Sequence, residues 1–304
     1  MKILITGGTG FLGANLTKIL KKNHDVTSCS SKNLNLFNYK SFEKFKNKKF
    51  DIIFHLAAWT QAGDFCLKYP GEQWINNQLI NSNILKFWSE RQKQALLVSM
   101  GTSCSYDPKI KHYEKNYLLG RPIQSLFTYA MTKRMLHIGK ESLSKQFNLK
   151  FLTIVPSTLY GINYHLDGRQ MHFIFDLIKK IINGKKYNKK VILWGNGYQK
   201  REIVFIDDFI RDLLFLSMRK SVKKNEIYNI GSGKEYSIRE FAKIICNIVG
   251  YDFKKIIFDR TKYTGAKSKH LSNSKLKKHI KTKYKRISLN EGLKKTIDWY
   301  SKFI

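Results

Sequence analysis

The sequence predicts an α/β fold, a doubly wound parallel sheet with a smaller C-terminal lobe, and three observations carry that expectation. The chain opens on an apolar strand, Lys2–Thr6, that runs directly into a glycine-rich turn, Gly7-Gly8-Thr9-Gly10-Phe11-Leu12-Gly13. Short apolar runs then alternate with helical patterns over the first 160 residues, as βαβ units require. After Tyr160-Gly161 this alternation breaks.

In chain order, the expected strands are Lys2–Thr6, Asp25–Cys29, Asp51–Leu56, Ala95–Ser99 and Phe151–Val155, with helices at Phe11–Lys22, Gly71–Arg91 and Thr128–Phe147. A polar loop then leads to a helix over His172–Ile182, where Ile174, Leu177, Ile178 and Ile181 form one apolar stripe and Gly184 is read as its end. Strands follow at Val191–Trp194, Arg201–Ile206 and Tyr228–Ile230, a helix at Ile238–Val249, a short apolar run at Ile256–Phe258 and a closing helix over Glu291–Phe303. The expected division is a Rossmann-type nucleotide-binding domain over 1–160, rejoined by 203–231. A second lobe is expected over 161–202 and 232–304.

The chain has 304 residues, 42% of them hydrophobic, enough for a substantial core. No charged-then-apolar leader and no uncharged run of about 18 residues is present, so a cytoplasmic protein without a membrane span is expected. Cys29, Cys66, Cys104 and Cys246 lack metal-site spacing, so no metal is expected, and three of them read as packed hydrophobes. Lys and Arg number 56 against 22 Asp and Glu, a net charge of +34. The excess is mostly Lys spread along the chain beside many Asn and Ile, residues that share A- and T-rich codons. Its densest part, Lys262 to Arg286, reads first as solvated surface, then as anionic substrate recruitment, and last as a nucleic-acid site.

The glycines have GxxGxxG spacing at a strand-to-helix junction. Gly7 suits the tight turn, Gly10 a close approach of the backbone to a pyrophosphate, and Gly13 close helix packing. Phosphates would rest on the free N–H groups there, with Phe11 and Leu12 in the first helical turn and Ala57 at the end of the third strand. A carboxylate that holds ribose hydroxyls in NAD enzymes is expected after the second strand. Ser30-Ser31-Lys32 stands there instead, which favours the 2′-phosphate of NADP(H) over NAD.

Tyr129 and Lys133 lie at i and i+4 on one helix face, where an ammonium can assist proton transfer through the phenol. A third hydroxyl is expected at the fourth strand's end, and Thr102 in Gly101-Thr102-Ser103-Cys104 supplies it.

Glycine loop, Thr102, Tyr129 and Lys133 together resemble an extended short-chain dehydrogenase/reductase, of the NAD-dependent epimerase/dehydratase family, through nearly the whole chain. The likeness is strongest to its GDP-L-fucose synthase branch, through Gly101–Cys104, Pro156–Gly161, Trp194–Gly197, Arg201-Glu202 with Asp207-Asp208, and Asn229–Gly233. That resemblance implies an NADPH-dependent 3,5-epimerase/4-reductase. It implies Cys104 and His172 as the acid/base pair for epimerisation, against the simpler alternative that Cys104 packs and His172 begins a helix. It also implies Lys180, Trp194, Arg201 and Lys269 as contacts to the nucleotide-sugar, with Lys180 in place of the branch's arginine and Trp59 in place of its lysine.

The expected function is reduction, with epimerisation, of an NDP-4-keto-sugar, GDP-linked by resemblance, to an NDP-deoxysugar by a homodimer. The alternatives are a redox-neutral NDP-sugar 4-epimerase holding NAD, and a non-catalytic NADP-sensing or nucleic-acid-binding relative.

Overall fold

A computed structural model describes residues 1–261, 267–280 and 285–303. Six parallel strands form the central sheet: β1 (Lys2–Thr6), β2 (Asp25–Cys29), β3 (Ile52–His55), β4 (Leu96–Met100), β5 (Phe151–Pro156) and, from much later in the chain, β9 (Glu226–Ile230). Their order is β2-β1-β3-β4-β5-β9. The chain therefore reverses direction between β1 and β3, and open α/β sheets bind ligands in the crevice at such a switch point. Ile3, Ile5, Phe54, Val98 and Ile154 are buried on one sheet face, and Leu4, Ile53 and Leu97 on the other. Both faces are covered, which is why the strands read as nearly continuous apolar runs.

Helices α1 (Phe11–Leu20), α2 (Phe65–Lys68), α3 (Pro70–Arg91) and α4 (Phe127–Phe147) connect the first five strands, and α3 packs along α4. Beyond β5 come β6 (Thr158–Tyr160), α5 (Phe173–Lys186), β7 (Val191–Trp194), β8 (Lys200–Phe205) and α6 (Ile206–Met218). After β9 follow β10 (Glu235–Ser237), α7 (Ile238–Val249), β11 (Ile256–Asp259), α8 (Ser274–His279) and α9 (Leu289–Tyr300). Strands β10-β8-β6 and β11-β7 form two small sheets of their own. No described helix is long and apolar enough to cross a membrane.

Two expectations about elements fail. Gly184 does not end α5; it is buried inside a helix that continues to Lys186, where a Cβ would lie 2.5 Å from Val191 Cγ2. The glycine is there for contact with β7 rather than as a stop. Helix α6 was not expected. Its signal was present, since Ile206, Phe209, Ile210, Leu213 and Leu216 make a buried stripe behind Asp207 and Asp208 in the first turn. It packs on α1 and against β5 and β9.

Candidate active site

The glycine loop leaves β1 at its C-terminal end. Gly7 has φ +72°, and a Cβ there would lie 2.8 Å from the Ala57 nitrogen, so the first turn and the end of β3 touch at the switch point. A Cβ on Gly13 would come within 2.1 Å of the Gly7 oxygen, which shows how tightly α1 is seated on the turn. Gly8, which the glycine spacing leaves out, is equally constrained, because its Cβ would collide with Ser28 on β2. Gly10 caps α1 with no acidic side chain in the first turn, so the amide end of the helix faces outward ready for an anion. The ring of Phe11 turns inward, edge-on to Tyr164 and Phe175 with centroids 5.2 and 5.8 Å away, and Leu12 packs against the main core. These two residues offer the loop their main chain only.

After β2, Ser30 is partly buried, Ser31 and Lys32 are exposed, and the Ser30 N–H donates to Asn33 Oδ1 at 2.8 Å. No carboxylate occupies this strand end. The donor set, two hydroxyls and an ammonium, suits a 2′-phosphate.

Thr102 follows β4 and is 8% exposed. The strand ends at Met100, and Ser103–Ser105 is a single turn of 3₁₀ helix. Within this turn the Cys104 N–H donates to Thr102 Oγ1 at 3.3 Å. Arg134, beside Lys133 on α4, staples this turn to the helix. Its guanidinium donates to the Ser105 carbonyl at 2.5 and 3.0 Å and to the Gly120 carbonyl at 2.8 Å.

Tyr129 and Lys133 sit in the first two turns of α4, with Lys133 Nζ 5.7 Å from the Tyr129 ring centroid. Burial pushes the Tyr129 phenol up, the Cys104, Cys66 and Tyr117 side chains push the same way, and the Thr102 hydroxyl opposes them. The phenol is thus protonated, the form that donates to an oxygen. Burial alone lowers Lys133 to about 8.

His172 is the N-cap of α5, not part of its first turn. Its imidazole is pushed down to about 4 by burial first, then by His165 and Lys269. Burial is thus the main cause of the neutral ring. Lys269 Nζ stands 3.4 Å from Cys104 Sγ. Two buried or partly buried carboxylates hold that segment: Glu235 accepts from the Lys269 N–H at 2.8 Å, and Glu202 accepts from Leu271 N–H at 2.9 Å and Gly233 N–H at 2.7 Å.

Other expected substrate contacts are more dispersed. Arg201 lies on β8 opposite Tyr236, its Nη1 donating to the Lys200 carbonyl. Trp194 ends β7 and is 57% exposed. Lys180 forms a 2.8 Å ion pair with Asp176 on the surface of α5. Of the basic stretch, Lys262, Lys281 and Lys283 lie outside the described residues, Lys275 pairs with Glu226, and Lys267, Lys277, Lys278 and Lys285 are exposed.

Sequence reasoning also missed a buried polar row beneath the site. Thr6, His55, Ser99 and Thr153 lie side by side on β1, β3, β4 and β5. Lys140, fully buried, donates to Ser99 Oγ at 2.6 Å, Thr153 Oγ1 at 2.5 Å and the Leu152 carbonyl at 3.0 Å. His137 Nδ1 is 2.8 Å from Thr153 Oγ1, and His55 Nδ1 2.8 Å from Thr6 Oγ1. The spacing Lys133, His137, Lys140 along one helix face was the available signal.

Residues 3–231 match the family model described as the NAD dependent epimerase/dehydratase family. Over 310 aligned residues the chain is 28% identical to a GDP-L-colitose synthase of Yersinia pseudotuberculosis, covering 99% of this chain and 98% of that one. Among solved structures it resembles a GDP-L-fucose synthetase from Naegleria fowleri bound to NADP, with TM-score 0.86, 23% identity, and coverage of 99% and 94%. A GDP-6-OMe-4-keto-L-xylo-heptose reductase from C. jejuni gives TM-score 0.84 at 24% identity, covering 100% and 98%. At these identities the two structures speak for the fold alone. Together with the glycine loop and the Thr102, Tyr129 and Lys133 set, the match over most of the chain establishes that this protein belongs to the NAD dependent epimerase/dehydratase family.

Proposed function

We propose that the chain is an NADPH-dependent reductase, with 3,5-epimerase activity, acting on a GDP-linked 4-keto-sugar. The observation that carries the reading is Tyr129, a phenol kept protonated by burial, beside Thr102 and Lys133 at the same sheet edge as the glycine loop. The loop fits the cofactor, because Gly7 and Gly13 bring the turn onto β3 and α1, and Ser30, Ser31 and Lys32 offer the adenosine end no repelling acid. NADPH, when bound, supplies hydride to C4. Tyr129 gives its proton to the nascent C4 oxygen, Thr102 orients that oxygen, and Lys133 holds the ribose and returns a proton to Tyr129. Cys104 and His172 serve the carbons flanking C4, while Trp194, Arg201 and Lys180 serve the nucleotide and its diphosphate. GDP as the carrier follows the likeness to the GDP-L-colitose synthase.

The same reading includes a two-lobe division, with 1–160 and 203–231 around the cofactor and 161–202 with 232–304 around the sugar. Of the returning segment, β9 joins the main sheet and α6 packs on it, while β8 pairs with β6 and β10. It also includes a cytoplasmic homodimer. The support is an exposed apolar face on α3 and α4, with Ile75, Leu79, Met135 and Ile138 among its residues, and four unpaired cysteines. The deciding experiment incubates the protein with NADPH and a panel of GDP- and dTDP-linked 4-keto-sugars, and assigns product stereochemistry by NMR. Reduction of a GDP-sugar at C4 is expected. Tightly held NAD with no net oxidation of NADPH overturns the reading in favour of a redox-neutral 4-epimerase.

A further inference from the structure

Thr102 and Tyr129 belong to separate elements, so the distance between their hydroxyls is set by whatever ties the 102–106 turn to α4. Arg134 follows Lys133 directly on that helix and is 5% exposed. Its Nε and Nη2 both donate to the Ser105 carbonyl, at 3.0 and 2.5 Å, so the guanidinium closes on the turn that carries Thr102. Nη1 donates to the Gly120 carbonyl and Nη2 to the Leu119 carbonyl, each at 2.8 Å. A buried cation is costly unless its donors are met. Here every described acceptor is a main-chain oxygen, so the charge holds backbone. Two further contacts brace the same turn. Ser105 Oγ donates to the Ala130 carbonyl on α4 at 3.1 Å. Tyr117, fully buried, backs the residue before Thr102: a Cβ on Gly101 would lie 2.7 Å from the Tyr117 hydroxyl oxygen.

Resting on the reductase reading above, we propose that Arg134 is a positioning residue for the reduction, fixing the turn against α4 so that the Thr102 and Tyr129 hydroxyls converge on one substrate oxygen. It acts through Thr102 and not on the reacting atoms. A guanidinium suits the task, because its donors lie in a rigid planar fork and serve all three carbonyls at once, whereas an ammonium is a single point of charge. Rate is steep in such placement: an error of about 1 Å can cost about 10²-fold.

The test is a double-mutant cycle on kcat for NADPH oxidation, with the GDP-linked 4-keto-sugar that the unaltered protein reduces fastest. Arg134→Lys keeps the charge and loses the fork; Thr102→Val keeps the shape and loses the hydroxyl. Arg134→Gln takes the place of the lysine variant if circular dichroism shows that the latter does not fold. With Thr102 present, loss of the fork is expected to lower kcat roughly ten-fold and to leave KM for NADPH within about two-fold. In the Thr102→Val background the same change is expected to cost less than about two-fold. A purely structural staple gives equal fractional losses in both backgrounds, and that result, or no loss at all, overturns the proposal. Hydrogen–deuterium exchange reads the clamp without substrate: residues 102–106 are expected to exchange faster in Arg134→Lys while the glycine loop keeps its rates. Unchanged exchange in the turn also overturns the proposal. No oxidation of NADPH by the unaltered protein with any GDP-linked 4-keto-sugar overturns the reductase reading itself, and the exchange rates tell that failure from failure of the clamp.

Discussion

The cofactor half and the sugar half of the proposed site are built in opposite ways. At the cofactor end the parts are consecutive: a turn of seven residues, Gly7 to Gly13, is shaped by close contacts that a Cβ on Gly7, Gly8 or Gly13 would break. At the proposed sugar end, Cys104, His172, Arg201 and Lys269 come from four separate segments, and the buried carboxylate of Glu202, next to Arg201, anchors the segment that carries Lys269. The first construction depends on the absence of side chains, the second on charged side chains kept from water. One tolerates almost no substitution in the loop itself, while the other can be retuned from a distance.

The largest effect should come where the two ends meet. Tyr129→Phe is expected to lower kcat for NADPH oxidation by about 10²–10⁴-fold with the fold intact by circular dichroism. Turnover near that of the unaltered protein would break the mechanism at its centre. At the cofactor end, Gly13→Ala forces a Cβ against the Gly7 oxygen. We expect NADPH binding, measured by fluorescence titration, to weaken by roughly 100-fold, because the whole loop must move. A Kd within a factor of about two would show the loop to be as adaptable as the sugar end.

The polar row beneath the sheet sharpens the comparison through pH. Burial holds Lys140 well below its usual value, so in the window between its folded value and that of the unfolded chain, the unfolded state binds the extra proton. Stability should therefore rise with pH across that window, by up to about 1.4 kcal/mol per pH unit for one proton. Lys133, lowered to about 8, contributes the same sign above that pH. Urea midpoints measured at several alkaline pH values should climb less steeply in Lys140→Met than in the unaltered protein, and parallel slopes would remove Lys140 from the account.

The smallest effect is expected from Lys32→Ala. An exposed ammonium contributes about 0.2–1 kcal/mol, so the preference for NADPH over NADH in kcat/KM should narrow by roughly 1.4- to five-fold. No change would assign the preference to Ser30 and Ser31.

The cofactor end was legible because its requirements are local. A strand, three spaced glycines and an i, i+4 Tyr–Lys pair are patterns of neighbouring residues, and backbone sterics with helix periodicity dictate their geometry. The same kind of signal was present for α6, in its apolar stripe behind Asp207-Asp208, and was passed over. Gly184 shows the limit of local reading, since a glycine near a helix end resembles a stop until the strand packed against it is known. Glu202 had no neighbouring pattern that distinguished it from surface charges in a chain with so many, and Lys140 had only its place on the helix face of Lys133 and His137.

The sequence by itself determined the parallel α/β sheet, the glycine turn and the Thr102, Tyr129 and Lys133 set, since strand and helix periodicity place these residues at the sheet's C-terminal edge. Only the tertiary structure decided that Lys269 meets Cys104, that burial rather than the helix dipole keeps His172 neutral, and that Lys140 lies dry beneath the site. The reason is physical. Desolvation and charge–charge contact depend on which distant segments exclude water together, and no run of adjacent residues contains that information.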